Sequence, residues 1–162
     1  MNARQKGFSI IELIIYSGAL SVFLLVLTNL FVTSLEVQLE SKTTSAVTQD
    51  SRYLFSRFAY DINRAEAILT PETLGSQAST LSLLIGGATH SYQSVGDDLM
   101  VTTPTSSAAL NSYQTKVSNL SFRRYGNVDG KNSVRIAFRL TSRALLRGEP
   151  ESRDFDTTIA LR

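Results

Sequence analysis

The apolar residues of this chain follow three successive patterns. From Leu13 to Leu35 the run LIIYSGALSVFLLVLTNLFVTSL carries no charged residue. About 20 apolar residues cross a bilayer core, so this run predicts a membrane-spanning helix. Farther on, Leu54, Phe58, Ile62, Ala65 and Leu69 recur at intervals of three and four, which draws one apolar stripe along a helix packed on a sheet. Between the two, ESKTTSA, Glu40 to Ala46, reads either as solvated helix or as a local break. Thr70-Pro71-Glu72 predicts the helix end, because the residue before a proline is pushed out of the α region. Unbroken from Phe8 to Leu69, such a helix would measure about 90 Å.

Beyond Gly75 the period shortens to that of strands. TLSLLI, THSYQSV, DLMVTT, KVSNLSFRRY, SVRIAFRL and DFDTTIALR are rich in β-branched and aromatic residues and are separated by Gly, Pro, Asn and Ser. GNVDGKN, Gly126 to Asn132, predicts a turn between two strands, with Asp129 and Gly130 supplying hairpin chemistry. LTSRALLRGEPES reads as a longer excursion before the last strand. The expected fold class is α+β, a long N-terminal helix packed on a C-terminal, largely antiparallel β-sheet domain.

Charge changes the picture by its distribution. The formal net charge is +2, but Arg4 and Lys6 supply it, and without them 14 basic side chains balance 14 acidic ones. Bulk basicity is therefore a weak argument for nucleic acid. From Glu36 to Thr115 there are four basic and eight acidic residues, and from Lys116 to Arg162 ten basic and five acidic. Opposite charge in the two parts suits association between copies or relatives. Arg4 and Lys6 precede the apolar run and Glu36 and Glu40 follow it, which predicts the N-terminus in the cytoplasm. A cleaved secretory signal is disfavoured, because the strongest apolar segment lies after the small residues Ser17, Gly18 and Ala19. The chain has no cysteine, so neither a disulfide nor a thiolate metal site is available.

Glu12 interrupts the apolar pattern where KGFSIIELIIY begins. A carboxylate in lipid costs about 2.5 to 3.5 kcal/mol at the bilayer centre and less toward the interface, so something should compensate it. KGFSIIE resembles the processing site of type IV pilins and of the pseudopilins of type II secretion and DNA-uptake machines: a short basic leader, a glycine, an apolar residue, and a glutamate four residues later heading a spanning helix. The resemblance implies cleavage between Gly7 and Phe8 by a prepilin peptidase, N-methylation of Phe8, and Glu12 as the family glutamate. It also implies a pilin-like layout: a leader at 1–7, a spanning half-helix at 8–35, its extramembrane continuation at 36–69 and a β-sheet domain at 70–162.

The physics of a new terminus at Phe8 agrees. Its ammonium and the Glu12 carboxylate are opposite charges one helical turn apart, about 6 Å along the axis. Between staggered helices they could pair instead, so that a charge satisfied in one register alone would specify assembly. SRYLFSRFAYDINRAEAI, Ser51 to Ile68, is similar to the helix segment of minor pilins of the J and W types, and the order of strands after it is similar to theirs. Asn29 stands where major pilins usually carry a helix-softening proline, which favours a minor role.

The candidate chemistry is sparse. His90 is the single histidine and reads as a sheet-surface residue. Asp97 and Asp98 read as a turn, since two adjacent acids supply too few of the six to eight oxygens that calcium takes. No phosphate-cradling glycine motif is present. Ser17 and Ser21 share one face of the span, a weak helix-packing signal. Arg123, Arg124, Lys131, Arg135, Arg139, Arg143 and Arg147, with Phe122, Tyr125 and Phe138 nearby, form a basic set. Arg123, Arg124, Arg135 and Arg139 are the expected contacts to acidic surfaces of partner subunits, and DNA is the less favoured ligand for them.

These readings point to a non-catalytic structural subunit without metal or cofactor, acting near the tip or at the initiation of a type IV pilus-like or type II secretion fibre. The resemblance implies the prepilin peptidase, other pilins or pseudopilins, the inner-membrane assembly platform and the lipid bilayer as partners. A major fibre subunit, or an adhesive or DNA-binding tip subunit, is the alternative.

Overall fold

A computed structural model of the chain describes residues 9–127, 130–146 and 149–162. The turn residue Asp129 and the basic-set member Arg147 lie outside the described residues. The fold is α+β. Among the described residues one helix, α1 (Ile10–Arg64), precedes nine strands. The chain divides into two units, one ending at Leu39 and one running from Glu40 to Arg162.

In the first unit the large apolar side chains of α1 are exposed, from 44% at Leu27 and Leu35 to 80% at Ile10. By length and composition this helix can cross a membrane. Its hydroxyls turn back onto their own backbone: Ser21 donates to the Ser17 carbonyl at 2.9 Å, Thr28 to Leu24 at 2.8 Å and Thr33 to Asn29 at 2.9 Å. Such back-bonding satisfies the side chains without water, as a lipid surface requires.

In the second unit, ESKTTSA is helical, and Thr43, Ala46 and Val47 are buried. Leu54, Phe58, Ile62 and Ala65 of the expected stripe belong to the core, and Val47, outside that stripe, joins them. The helix ends at Arg64, five residues before the position expected from Pro71. Residues 67–70 are instead strand β1 (Ala67–Thr70), paired with β3 (Leu81–Ile85) in the register Ala67 to Leu84 and Ile68 to Leu83. The change of period brings Ile68 into the core and leaves Leu69 40% exposed.

The strands form two antiparallel sheets. The first has the order β1-β3-β4-β5-β6, with β4 at Ala88–Val95, β5 at Asp98–Thr102 and β6 at Ser107–Ala109. Gly86 and Gly87, with φ of 59° and 74°, make the two-residue turn from β3 to β4, a conformation that glycine adopts without a Cβ clash. The second sheet has the order β2-β7-β8-β9, with β2 at Gln77–Ala78, β7 at Thr115–Tyr125, β8 at Ser133–Leu146 and β9 at Glu149–Ala160. The expected excursion LTSRALLRGEPES is instead the closing end of the β8–β9 hairpin, where Leu145 pairs with Pro150.

Phe58 of α1 meets aromatic rings of both sheets, with its centroid 5.1 Å from Tyr92 of β4 and 5.9 Å from Phe122 of β7. Phe55 packs 5.5 Å from Phe138 and 5.9 Å from Phe155. The alternation in β8 puts Val134, Ile136, Phe138 and Leu140 inside and Arg135 and Arg139 outside, as the sequence predicts.

Candidate functional site

The residues singled out by sequence lie at the start of α1, on the two faces of the second sheet, at the turn at Asp97 and, for His90, in β4. Gly7 and Phe8 lie outside the described residues.

Glu12 occupies the first turn of α1, where a carboxylate is favoured by the helix dipole. Tyr16, one turn on, donates a hydrogen bond to Glu12 Oε1 at 3.2 Å. The sequence reading missed this partner, although the four-residue spacing carries the signal. A phenol satisfies a lone pair of Glu12 and brings no positive charge to it.

The four arginines separate into distinct roles. Arg135 and Arg139 stand on the outer face and are held by carboxylates of β9. Arg135 Nε donates to Asp156 at 2.9 and 3.0 Å, and Arg139 makes a two-pronged pair with Asp154 at 2.7 Å for each bond. Hydrogen bonds to Asp156, and then to Tyr125, raise the Arg135 pKa; the bond to Asp154 does the same for Arg139. Asp154 and Asp156 are correspondingly held below the ordinary carboxylate value by hydrogen bonds from Arg139 and Arg135.

Arg124 is placed otherwise. It shares the inward face of β7 with Phe122, two residues before it, and its Nη1 donates to the carbonyls of Ile68 at 3.2 Å, Pro71 at 3.3 Å and Glu72 at 2.7 Å. Its guanidinium clamps the segment after β1 onto β7. Its Nη1 is thereby engaged inside the fold. Arg123 stays on the outer face, directly opposite Arg135. It donates to the Gly75 carbonyl at 3.1 Å and stacks over Tyr125 at 5.4 Å.

Asp97 and Asp98 sit at the β4–β5 turn opened by Gly96, whose φ is 63°. Lys116 reaches Asp97 at 3.0 Å, and Arg143 reaches both acids at 3.3 Å. The Lys116 hydrogen bond and both cations hold the Asp97 carboxyl below its usual range. The site is thus an ion-pair cluster joining the two sheets. Among the described residues no group of His, Asp and Glu could hold a metal ion.

His90 departs from the expected surface position. It shares a face of β4 with buried Tyr92 and pairs with buried Leu83, so it lies on the inner face, half-buried, with Nδ1 enclosed and without a hydrogen-bond partner.

Two buried carboxylates absent from the candidate set organise the domain. Asp50 accepts from Ser112 N at 3.0 Å, Ser112 Oγ at 2.8 Å and Thr115 Oγ1 at 2.5 Å. Asp61 accepts from Tyr92 and stands 2.8 Å from Arg57 Nε. Compared with protein-family models, curated proteins and solved structures, the chain matches none.

Proposed function

We propose that this chain is a minor pilin or pseudopilin of the J or W kind, a structural subunit assembled near the tip or at the initiation of a type IV pilus-like or type II secretion fibre. The observation that carries the reading is Glu12, a carboxylate in the first turn of a helix whose next large apolar side chains are all exposed. That arrangement asks for lipid around the helix and for a cation at the level of Glu12. A peptidase that cuts after Gly7 would supply the cation as the ammonium of Phe8. In a staggered bundle each arriving ammonium would meet the Glu12 of a neighbour and fix the register.

The reading places the N-terminus in the cytoplasm, the domain outside the inner membrane, and the peptidase, related subunits and the assembly platform as partners. The pairing of Arg135 and Arg139 and the inward clamp of Arg124 weigh against DNA binding, because phosphates would have to displace bonds already made.

Intact mass spectrometry of the protein from membranes of hosts with and without their prepilin peptidase tests the reading. A chain beginning at N-methylated Phe8 in the first host alone is the expected result. A chain beginning at Met1 in both would return it to an uncleaved signal anchor and remove the fibre role.

A further inference from the structure

Among the described residues the two sheets have four edges, and three of them are short. β1 has four residues, β6 three and β2 two, whereas β9, at the edge of the second sheet, has twelve. A long open edge invites another strand, and proteins blunt such edges with charge, proline and bulges. β9 carries these devices before Thr157: Pro150, the charges of Glu149, Glu151, Arg153, Asp154 and Asp156, and a register shift opposite the Thr141–Leu145 stretch of β8. The segment TTIAL, Thr157 to Leu161, has none of them.

The direction of the β9 backbone is fixed. Leu161 N donates to the Asn132 carbonyl at 2.8 Å, in register with the unbroken ladder that runs from Ser133 and Ala160 to Thr141 and Ser152. Successive residues of an antiparallel strand turn their N–H and C=O groups alternately to its two sides. Phe155, Thr157, Ile159 and Leu161 therefore bond toward β8, and Asp154, Asp156, Thr158 and Ala160 present their backbone groups to the open side. Among the described residues no strand pairs with that side. Phe155, Ile159 and Leu161 pack against the core yet stay half-buried, so a further strand would cover them.

The geometry points to a second copy of this chain as the occupant, β9 against β9 about a twofold axis at Thr158. Residues that bond outward must face one another, which leaves few registers. Centred on Asp156, the pairing sets that carboxylate against its own copy; centred on Thr157, it sets Arg153 against Leu161. Centred on Thr158, it sets Asp154 opposite Arg162 of the second copy, Asp156 opposite Ala160, Phe155 opposite Leu161 and Thr157 opposite Ile159. Opposite charges then meet on one face and apolar or β-branched side chains on the other, the cross-strand pairs that stabilise sheets. Arg139 already holds the Asp154 carboxylate, but that side chain is 68% exposed and a carboxylate accepts at about four sites, so a second guanidinium has room. A twofold contact uses one patch twice and closes at two chains, so the inference stands apart from the fibre reading.

The chain has no cysteine, so single cysteines report on the pairing. In the full-length chain in detergent micelles, Thr158→Cys brings two thiols to a directly opposed pair with Cα atoms about 5.5 Å apart, within disulfide reach. In Ala160→Cys the two positions lie four residues apart along the ladder, about 13 Å, and beyond that reach. Oxidation is expected to link Thr158→Cys into dimers about tenfold faster than Ala160→Cys. Thr158→Pro removes an N–H that points away from β8, a substitution that edge strands tolerate, and Arg162→Glu reverses the charge facing Asp154. Light scattering should give two chains for the parent and one for each of these variants; should Thr158→Pro fail to fold, Arg162→Glu, exposed and past the end of the strand, carries the comparison. A parent of single mass, equal linking at 158 and 160, or a dimer that survives Arg162→Glu would each overturn the proposal. So would a Thr158→Cys adduct whose mass is not that of two chains, which would identify another protein on the edge.

Discussion

The Tyr92 hydroxyl donates to Asp61, so that a fully buried ring in β4 is tied to a carboxylate of α1 that is 1% exposed. Arg57, one turn before Asp61 on the helix, supplies the countercharge at 2.8 Å. Burial opposes the Arg57 charge, but the hydrogen bond to Tyr92 and the attraction of Asp61 hold its pKa above the usual value. The helix and the first sheet are thereby joined by a specific polar link beside the aromatic contact of Phe58.

Tyr92→Phe keeps the ring and deletes the link. Leaving a buried acceptor short of a donor costs about 1–3 kcal/mol. Denaturant unfolding of the full chain in detergent micelles is expected to show that loss; an unchanged midpoint would mean that Arg57 alone satisfies Asp61.

The same hydroxyl governs the alkaline limit. Burial, and then the Asp61 bond, push the Tyr92 pKa up from its ordinary value. A raised folded-state value means that the contribution is complete below the unfolded pKa, about 10, and is lost as pH rises beyond it. Stability of the parent chain should fall above that pH, and Tyr92→Phe should fall less steeply over the same range.

On the acidic side the sign reverses. Asp97, Asp154 and Asp156 have depressed pKa values in the folded chain. Their contribution is present above the unfolded aspartate value, about 3.9, and is lost as pH falls through the depressed folded values. These pairs are exposed, so the effect on stability is small. The sharper readout is carboxyl NMR: Asp154 should titrate below the ordinary value and return toward it in Arg139→Gln.

Arg124→Ala removes three carbonyl contacts and is expected to cost about 1.5–3 kcal/mol, the range for a hydrogen bond from a charged group. Arg124→Lys should recover part of that, because an ammonium is a point charge and lacks the planar fork of a guanidinium. Hydrogen exchange at Gly75, whose amide donates to the Arg124 carbonyl at 2.7 Å, should speed up in both. Unchanged exchange would show that the β2–β7 pairing holds this segment without the clamp.

For Glu12, charge and hydrogen bonding can be separated. Glu12→Leu and Glu12→Gln should both be processed and both enter fibres poorly, although glutamine can still accept from Tyr16. Tyr16→Phe should enter almost normally. Normal fibre content of either Glu12 variant, measured on sheared filaments, would remove the registry argument.

Much of this architecture is legible in local sequence, because period reports burial. The uncharged run, the Leu54–Phe58–Ile62 stripe and the alternation of β8 all read directly. The helix end does not, since Ala65 and Leu69 continue the helical spacing while pairing with β3 turns residues 67–70 into strand. Nor does the division into two sheets, which is set by long-range pairing that alternation alone does not reveal. For Arg124 the signal is present: in SFRRY, Phe122 and Arg124 share one face and Arg123 and Tyr125 the other. Treating the arginines as one basic set concealed it.

The dual contact of Phe58 bears on how the chain is born. Its ring touches Tyr92, Phe122 and, at 6.5 Å, Phe138, about eighty positions later, so closing the last contact spans a loop worth about 4 kcal/mol of chain entropy. During synthesis α1 emerges first, and the sides of Phe58 that meet Phe122 and Phe138 stay uncovered until β7 and β8 arrive. The nascent domain therefore completes its centre late, and a chain that stalls before β8 keeps the Phe138-facing side of Phe58 uncovered.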